Sequence, residues 1–273
     1  MQKLIPTKAL ARLIYQISRA EQPILKDLLI KGFCSIYSIN TDEAAQKDYR
    51  SFNDFFTREL KPGARPIDNV SKNICCPSDG TIAQIGFGEN GNLIQAKGLS
   101  YTLNDLLVSP DTALKLSNSG FVSIYLAPHN YHRVHMPING ILEQSVHVPG
   151  KLFSVNRETT SSLDKLYVKN ERLNLIFNSE YGLFALVLVG AMNVGSFSTA
   201  WSGEIIGRKD GVISKKEFKK EHQLIQFKKG DYLAHFNLGS TIVFIGPPKA
   251  LNWSEELENG SVVKMGSSLG AIR

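Results

Sequence analysis

The stretch Tyr232-Leu-Ala-His-Phe-Asn-Leu-Gly-Ser-Thr-Ile-Val-Phe-Ile245 decides the fold class. In its first half Tyr232, Ala234, Phe236 and Leu238 alternate with Leu233, His235, Asn237 and Gly239, the period of a half-buried strand ending at Gly239-Ser240. The second half, Thr241 to Ile245, is a β-branched and aromatic run that also suits a strand. Outward from it, Phe121 to Leu126, Leu173 to Phe177 and Phe184 to Gly190 have the same make-up and are bounded by turn-forming residues. No internal repeat or low-complexity tract is present. These runs predict a mostly-β core of sandwich or barrel type over residues 61–273.

Toward the N-terminus the pattern changes at Lys61-Pro-Gly-Ala-Arg-Pro66, a run of turn-formers that no helix carries through. Before it, Leu10, Leu13, Ile14 and Ile17 recur at helical spacing. Leu25, Leu28, Leu29 and Phe33 repeat the spacing after Pro23, which is suited to opening a helix. The expected fold class is therefore α+β, with an N-terminal amphipathic helical region, 1–60, ahead of the β core. Up to Lys31 this region carries Lys3, Lys8, Arg12, Arg19, Lys26 and Lys31 against only Glu21 and Asp27. Two readings stay open: helices packed on the core with a solvated face, or an interfacial pair on an anionic membrane.

The chain has 273 residues, 42% of them hydrophobic and 21% charged, which excludes disorder and allows a real core without disulfides or a structural metal. No apolar run approaches the roughly 20 residues of a spanning helix, which leaves peripheral membrane contact open. Cys34, Cys75 and Cys76 are odd in number and two are adjacent, which fits reduced thiols. Residues 1–20 lack the continuous apolar region of a secretory signal, so an intracellular protein is expected. The 31 Lys and Arg against 25 Asp and Glu give a net charge of +6, which favours anionic partners without choosing among them.

His129, His132 and His135 cluster within Pro128-His-Asn-Tyr-His-Arg-Val-His-Met-Pro137. Such a pair of histidines three apart can supply zinc ligands, acid–base groups, or merely buried hydrogen-bonded rings. Asp79 is a candidate third zinc ligand, but neither H-E-x-x-H nor C-x-x-C occurs. Pro77-Ser-Asp-Gly80 alone reads as a turn, and Gly239-Ser-Thr241 alone as a glycine bend followed by two hydroxyl residues.

Their order among the surrounding words is more specific. Phe52-Asn-Asp-Phe-Phe-Thr-Arg-Glu-Leu60, Lys61 to Pro66, Pro77 to Gly80, Gln95-Ala-Lys-Gly98, Tyr131-His-Arg-Val-His-Met-Pro137, Val148-Pro-Gly-Lys-Leu-Phe-Ser-Val-Asn156, Asn170-Glu-Arg172, Leu188-Val-Gly-Ala191 and Leu238-Gly-Ser-Thr241 follow one another. Together, from about residue 50 onward, they resemble the phosphatidylserine decarboxylase family, self-processing pyruvoyl enzymes, in the prokaryotic and mitochondrial form with a Leu-Gly-Ser-Thr site.

The resemblance implies that Ser240 Oγ attacks the Gly239 carbonyl and that the backbone breaks between them. The product would be a β chain, 1–239, and an α chain, 240–273, held together as a heterodimer, with a covalent pyruvoyl cofactor formed from Ser240. Glycine before the serine suits this, because it tolerates strained backbone and lets a nucleophile approach. By the same resemblance His135 is the base, Asp79 its partner, and His132 a proton carrier during decarboxylation; no metal is implied. The implied reaction converts phosphatidylserine of an anionic membrane to phosphatidylethanolamine and carbon dioxide through a Schiff base. The enzyme would sit peripherally on the cytoplasmic face of the cell membrane, with room for a higher homo-oligomer.

Arg208, Lys209, Lys215, Lys216, Lys219, Lys220, Lys228 and Lys229, set against Asp210, Glu217 and Glu221, form either a lipid-phosphate contact or a solvated hairpin. No nucleic-acid motif accompanies them. The competing functions are a pyruvoyl decarboxylase of a soluble amino acid, a zinc hydrolase using His132, His135 and Asp79, and a non-catalytic lipid-binding β protein.

Overall fold

The computed structural model describes residues 7–96, 98–191, 196–206, 211–218, 224–248 and 251–273. Lys3, Lys97, Arg208, Lys209, Asp210, Lys219, Lys220 and Glu221 lie outside the described residues, as do the side chains of Lys8, Leu10 and Arg12.

Two N-terminal helices form, α1, Thr7–Ser18, and α2, Pro23–Tyr37. Pro23 occupies the first turn of α2, where its missing N–H would be unpaired anyway, and Ser38 closes the helix in a left-handed conformation, φ 50°. Helical structure does not continue to residue 60 as the sequence reading expected. After Tyr37 only α3, Phe52–Phe56, is helical in this region, capped by Ser51 Oγ, which accepts from Asp54 N. α2 is covered only in part: Phe33 packs on Phe52, Phe55 and Phe56, but no residue of the helix is fully buried, and Ile24, Leu28 and Ile36 are 79%, 68% and 75% exposed.

Among the described residues the largest sheet has nine strands, antiparallel at every pairing. At its centre Ser240–Pro248 lies between Gly182–Gly190 and Ser119–Leu126, and Gly80–Phe87 flanks the latter. Successive residues of a strand point to opposite faces. Ile242 and Phe244 therefore enter one core, with Ile124, Leu186 and Phe177, while Val243 and Ile245 enter another, with Val187 and Val189. Burial on both faces explains why the Thr241 to Ile245 run carries no polar alternation.

The first core is closed by a four-stranded antiparallel sheet made of Gly203–Ile206, Ser196–Thr199, Tyr232–Phe236 and Arg133–His135, in that order, so this half is a sandwich. The second is closed by short helices, Leu103–Leu107, Pro110–Lys115 and Leu166–Lys169, which the sequence reading did not anticipate. Each spans only a turn or so, too short to display a helical period. Arg172 fastens two of them to the sheet by donating to Asp105 O, Leu106 O and Val168 O, carbonyls a short helix leaves unpaired.

The strand expected to run through Leu238 stops at Phe236, and it is not half-buried. Leu233, assigned to the polar side, is fully buried alongside Ala234 and Phe236. A register shift between Tyr232 and Ala234, opposite the His135 strand, breaks the strict alternation.

Candidate active site

Several strand ends meet on one row of the large sheet. Ser240, the first residue of its strand, pairs with Leu126 on one side and with Gly190 on the other. One strand further out, Thr81 pairs with Tyr125, which brings Gly80 to the same row and Asp79 to its rim. By two strand spacings Asp79 lies about 10 Å from Ser240. Gly80 is required here, since a Cβ would stand 2.6 Å from both Ile124 Cγ2 and Tyr125 O. His135 comes from the small sheet, and its N–H donates to Pro77 O at 2.7 Å. His132 donates from Nε2 to Ala127 O at 3.1 Å, one residue beyond the Leu126 that pairs with Ser240.

Asn237-Leu238-Gly239 carries the chain from the small sheet into the large one through two positive φ angles, 97° at Leu238 and 58° at Gly239. Glycine accepts such a conformation; at a leucine it stores on the order of 1–3 kcal/mol. Asn237 is held from several directions. Its N–H donates to Ser196 O at 3.1 Å, its Nδ2 to Ser196 Oγ at 2.8 Å and Ser198 Oγ at 3.1 Å, and its Oδ1 accepts from Asn53 at 3.1 Å. Ser196 Oγ in turn donates to Glu204, which Arg19 of the α1–α2 connection grips at 2.6 Å.

Ser240 is 1% exposed, and its Oγ has no hydrogen-bond partner. The His132 ring is fully buried, stacked on Phe56 with centroids 4.1 Å apart. Because its Nε2 must donate to a carbonyl, Nδ1 carries the lone pair, and that atom too is unpartnered. Burial, with the nearby Arg58 charge, pushes its pKa down from 6.5 to about 3, so the ring is neutral at physiological pH. His135 is also lowered, chiefly by burial. Its Nδ1 donates to Gly230 O at 2.9 Å, which fixes the tautomer and leaves Nε2 to accept the Tyr131 hydroxyl at 2.9 Å.

Asp79 is clamped by Arg65, which donates from Nε to Oδ1 and Oδ2 at 2.9 and 3.1 Å and from Nη2 to Oδ2 at 2.6 Å; Met265 N also donates to Oδ1 at 2.8 Å. Among the described residues no hydrogen bond joins Asp79 to His135 or His135 to Ser240. Asp79 instead reaches the His135 ring through its charge, which favours the protonated ring. The same described residues contain no cluster of His, Cys, Asp and Glu able to hold a metal ion.

The family model described as phosphatidylserine decarboxylase matches residues 52–271, and one described as PSD matches residues 1–38. The chain belongs to the phosphatidylserine decarboxylase family. Among curated relatives, the phosphatidylserine decarboxylase proenzyme of Ectopseudomonas mendocina is 42% identical over 273 residues, 98% of this chain and 96% of its own length. The proenzyme of Bordetella pertussis is 42% identical over 272 residues, covering 98% and 92%, and that of Marinobacter nauticus 40% over 276 residues, covering 99% and 96%.

Several of the words that carried the resemblance support the row that holds Ser240, while Gln95 instead bonds Thr160 O, Leu163 O and Leu166 N. Asn170 Nδ2 donates to Gly190 O and to Phe153 O, both at 2.8 Å, bracing the strand that pairs with Ser240. A Cβ at Gly150 would lie 2.4 Å from Glu171 N, so the Val148 to Asn156 segment reaches this support only with glycine. Sequence reasoning missed Arg65, Tyr131, Asn237 and Leu238. The first three lie inside or beside quoted motifs, where a donor near an acid, a hydroxyl one turn from a histidine and an amide before a strained peptide are legible signals. Nothing in a leucine's identity announces a positive φ.

Proposed function

We propose that this chain cuts itself between Gly239 and Ser240 and then decarboxylates phosphatidylserine to phosphatidylethanolamine. The observation that carries the reading is the unpartnered, buried Ser240 hydroxyl directly behind the strained Leu238-Gly239 turn, in a chain of this family.

In the first step Ser240 Oγ bonds to the Gly239 carbonyl carbon, the Gly239–Ser240 C–N bond breaks, and the hydroxyl proton passes through a base to the freed nitrogen. His135 serves as that base at Nε2 once the Tyr131 hydroxyl moves aside, and Asp79, fixed by Arg65, stabilises the imidazolium by its charge. Loss of the Ser240 Cα proton then expels the Gly239 carboxylate from Cβ. The resulting enamine tautomerises, takes up water and releases ammonia, leaving a ketone at residue 240.

The cradle fits such a group: it begins a buried strand, flanked by main chain on both sides, with a basic ring nitrogen unclaimed nearby. When formed, the pyruvoyl group supplies an electrophilic carbon and a conjugated carbonyl that takes up the electron pair released with carbon dioxide. His132 presents its Nδ1 lone pair to the headgroup, and it handles the proton returned to the headgroup carbon once the bound anionic substrate raises the ring's depressed pKa. Residues 1–239 and 240–273 stay together as β and α subunits. The exposed side of α2 and the basic N-terminal residues hold the enzyme peripherally on the cytoplasmic face of the membrane. Intact mass spectrometry tests the core of this reading: the wild type separates into two species, the smaller lacking ammonia, and a single full-length species under active conditions overturns it.

A further inference from the structure

Arg58, just beyond α3, is 5% exposed, and its Nε and Nη1 are buried without any acceptor. Among the described residues the guanidinium packs on the face of Phe55, 5.1 Å from its carbon to the ring centroid. A cation–π contact returns only a fraction of what burying a guanidinium costs, so the site is built for a counter-charge that the chain does not itself provide. The nearest acids are already committed: Arg65 holds Asp79 at 2.6 Å and Glu43 at 2.9 Å.

Arg58 lines a cavity of about 200 Å³ whose wall also includes Asn40, Asn130 and Tyr131, together with Arg65 and the two acids it holds, Glu43 and Asp79. In both asparagines the side-chain oxygen accepts a backbone N–H, from Asp42 at 2.9 Å and from Ala127 at 2.8 Å. That leaves both amide NH2 groups as donors on the wall. A charged fork and two amides, with no free acid, describe a site for an anion with several acceptor oxygens.

The cavity lies between the lipid-facing helix and the reacting residues. Ser38, at the C-terminal end of α2, lines it, next to the exposed Ile36 and Tyr37. On the other side Tyr131 bonds His135, and Phe56, two residues before Arg58, stacks on His132. A lipid placed with its chains along α2 and its amine toward His132 brings its phosphodiester to Arg58. We propose that Arg58, assisted by Asn40 and Asn130, binds the phosphodiester of the lipid headgroup; the substrate class rests on the decarboxylase reading above.

The test uses processed enzyme, verified by intact mass, as wild type, Arg58→Met and Arg58→Lys. It measures the KM for dispersed short-chain phosphatidylserine, equilibrium binding of short-chain phosphatidylethanolamine, and Tm with and without glycerophosphate. Phosphatidylethanolamine keeps the phosphate but lacks the carboxylate. Arg58→Met is expected to keep or raise Tm, since it removes an unpaired buried charge. It should raise KM and weaken phosphatidylethanolamine binding by the same factor, tenfold or more, with Arg58→Lys in between. Unchanged KM and binding in Arg58→Met overturn the assignment, as does a loss confined to phosphatidylserine, which would mark a carboxylate site. A wild type that is processed but does not decarboxylate phosphatidylserine defeats the broader reading instead. In that case glycerophosphate raising the wild-type Tm but not that of Arg58→Met still supports an anion site, and equal shifts reject it.

Discussion

His132 and His135 stand three residues apart and both have pKa values lowered chiefly by burial, yet their lone pairs differ. His132 exposes Nδ1 to the interior and His135 keeps Nε2 under the Tyr131 hydroxyl. Removing Ser240 or His135 should leave one full-length species, whereas His132→Ala should still be cut and then fail to release carbon dioxide. Cleavage lost in His132→Ala would give that ring the base's role instead. The pH dependence follows from the depressed pKa values. In the unfolded chain both rings take up protons below the ordinary 6.5, while in the folded chain His132 resists down to about 3. Stability from this source is therefore complete above pH 6.5 and is lost progressively as pH falls from there toward 3. Thermal denaturation from pH 8 to 4 should show a Tm that falls on the acid side, less steeply in His132→Gln.

At the scale of elements the turn Asn237 to Gly239 and the helix α2 invite opposite experiments. In a Ser240→Ala background Leu238→Ala and Leu238→Gly both lose the buried leucine side chain, 8% exposed, but Leu238→Gly alone relieves the positive φ and should be about 1–3 kcal/mol more stable than Leu238→Ala. If strain helps expel the peptide nitrogen, Leu238→Gly slows cleavage in the Ser240 protein, read as the half-time of full-length chain by gel. Asn237→Ala removes the side-chain bonds to Ser196 Oγ, Ser198 Oγ and Asn53 while keeping the backbone bond to Ser196 O, and should slow it as well. For α2, each apolar side chain buried in lipid contributes roughly 1.5–3 kcal/mol. Ile24→Asp combined with Leu28→Asp should release the protein from anionic vesicles in a flotation assay while leaving self-cleavage intact, since neither side chain is buried against the protein.

Across the whole molecule, the Gly239–Ser240 bond lies on the link between two sheets, and Ser240–Pro248 lies between two long partner strands. The cut fragments should therefore co-elute on size exclusion and separate only on denaturation. The strands at 121–126, 173–177 and 184–190 were legible in the sequence because β-branched runs between turn residues have few other solutions. The buried Leu233 was misread because a register shift, which composition does not encode, sets its face. The one-turn helices escaped for want of a period, and their place is decided by Arg172 and Gln95, whose bonds are long-range. Of the site, Asp79, His132, His135 and Ser240 were accessible through motif order. Arg65 was legible as a donor in the Lys61 to Pro66 word, but its pairing with Asp79 was not, because that depends on how the folded chain brings residue 65 against residue 79.

The position of Ser240 at the head of a central strand also acts as an inspection step. On the reading proposed above the nucleophile lies late in the chain, while its strand partners Leu126 and Gly190, and the proposed helpers Asp79 and His135, come from four earlier segments. None of them is assembled around it until the nine-stranded sheet has closed. If Ser240 cleaves the chain as proposed, a misfolded copy never arms itself, and the ratio of cut to uncut chain becomes a built-in gauge of correct folding in any expression or mutagenesis experiment.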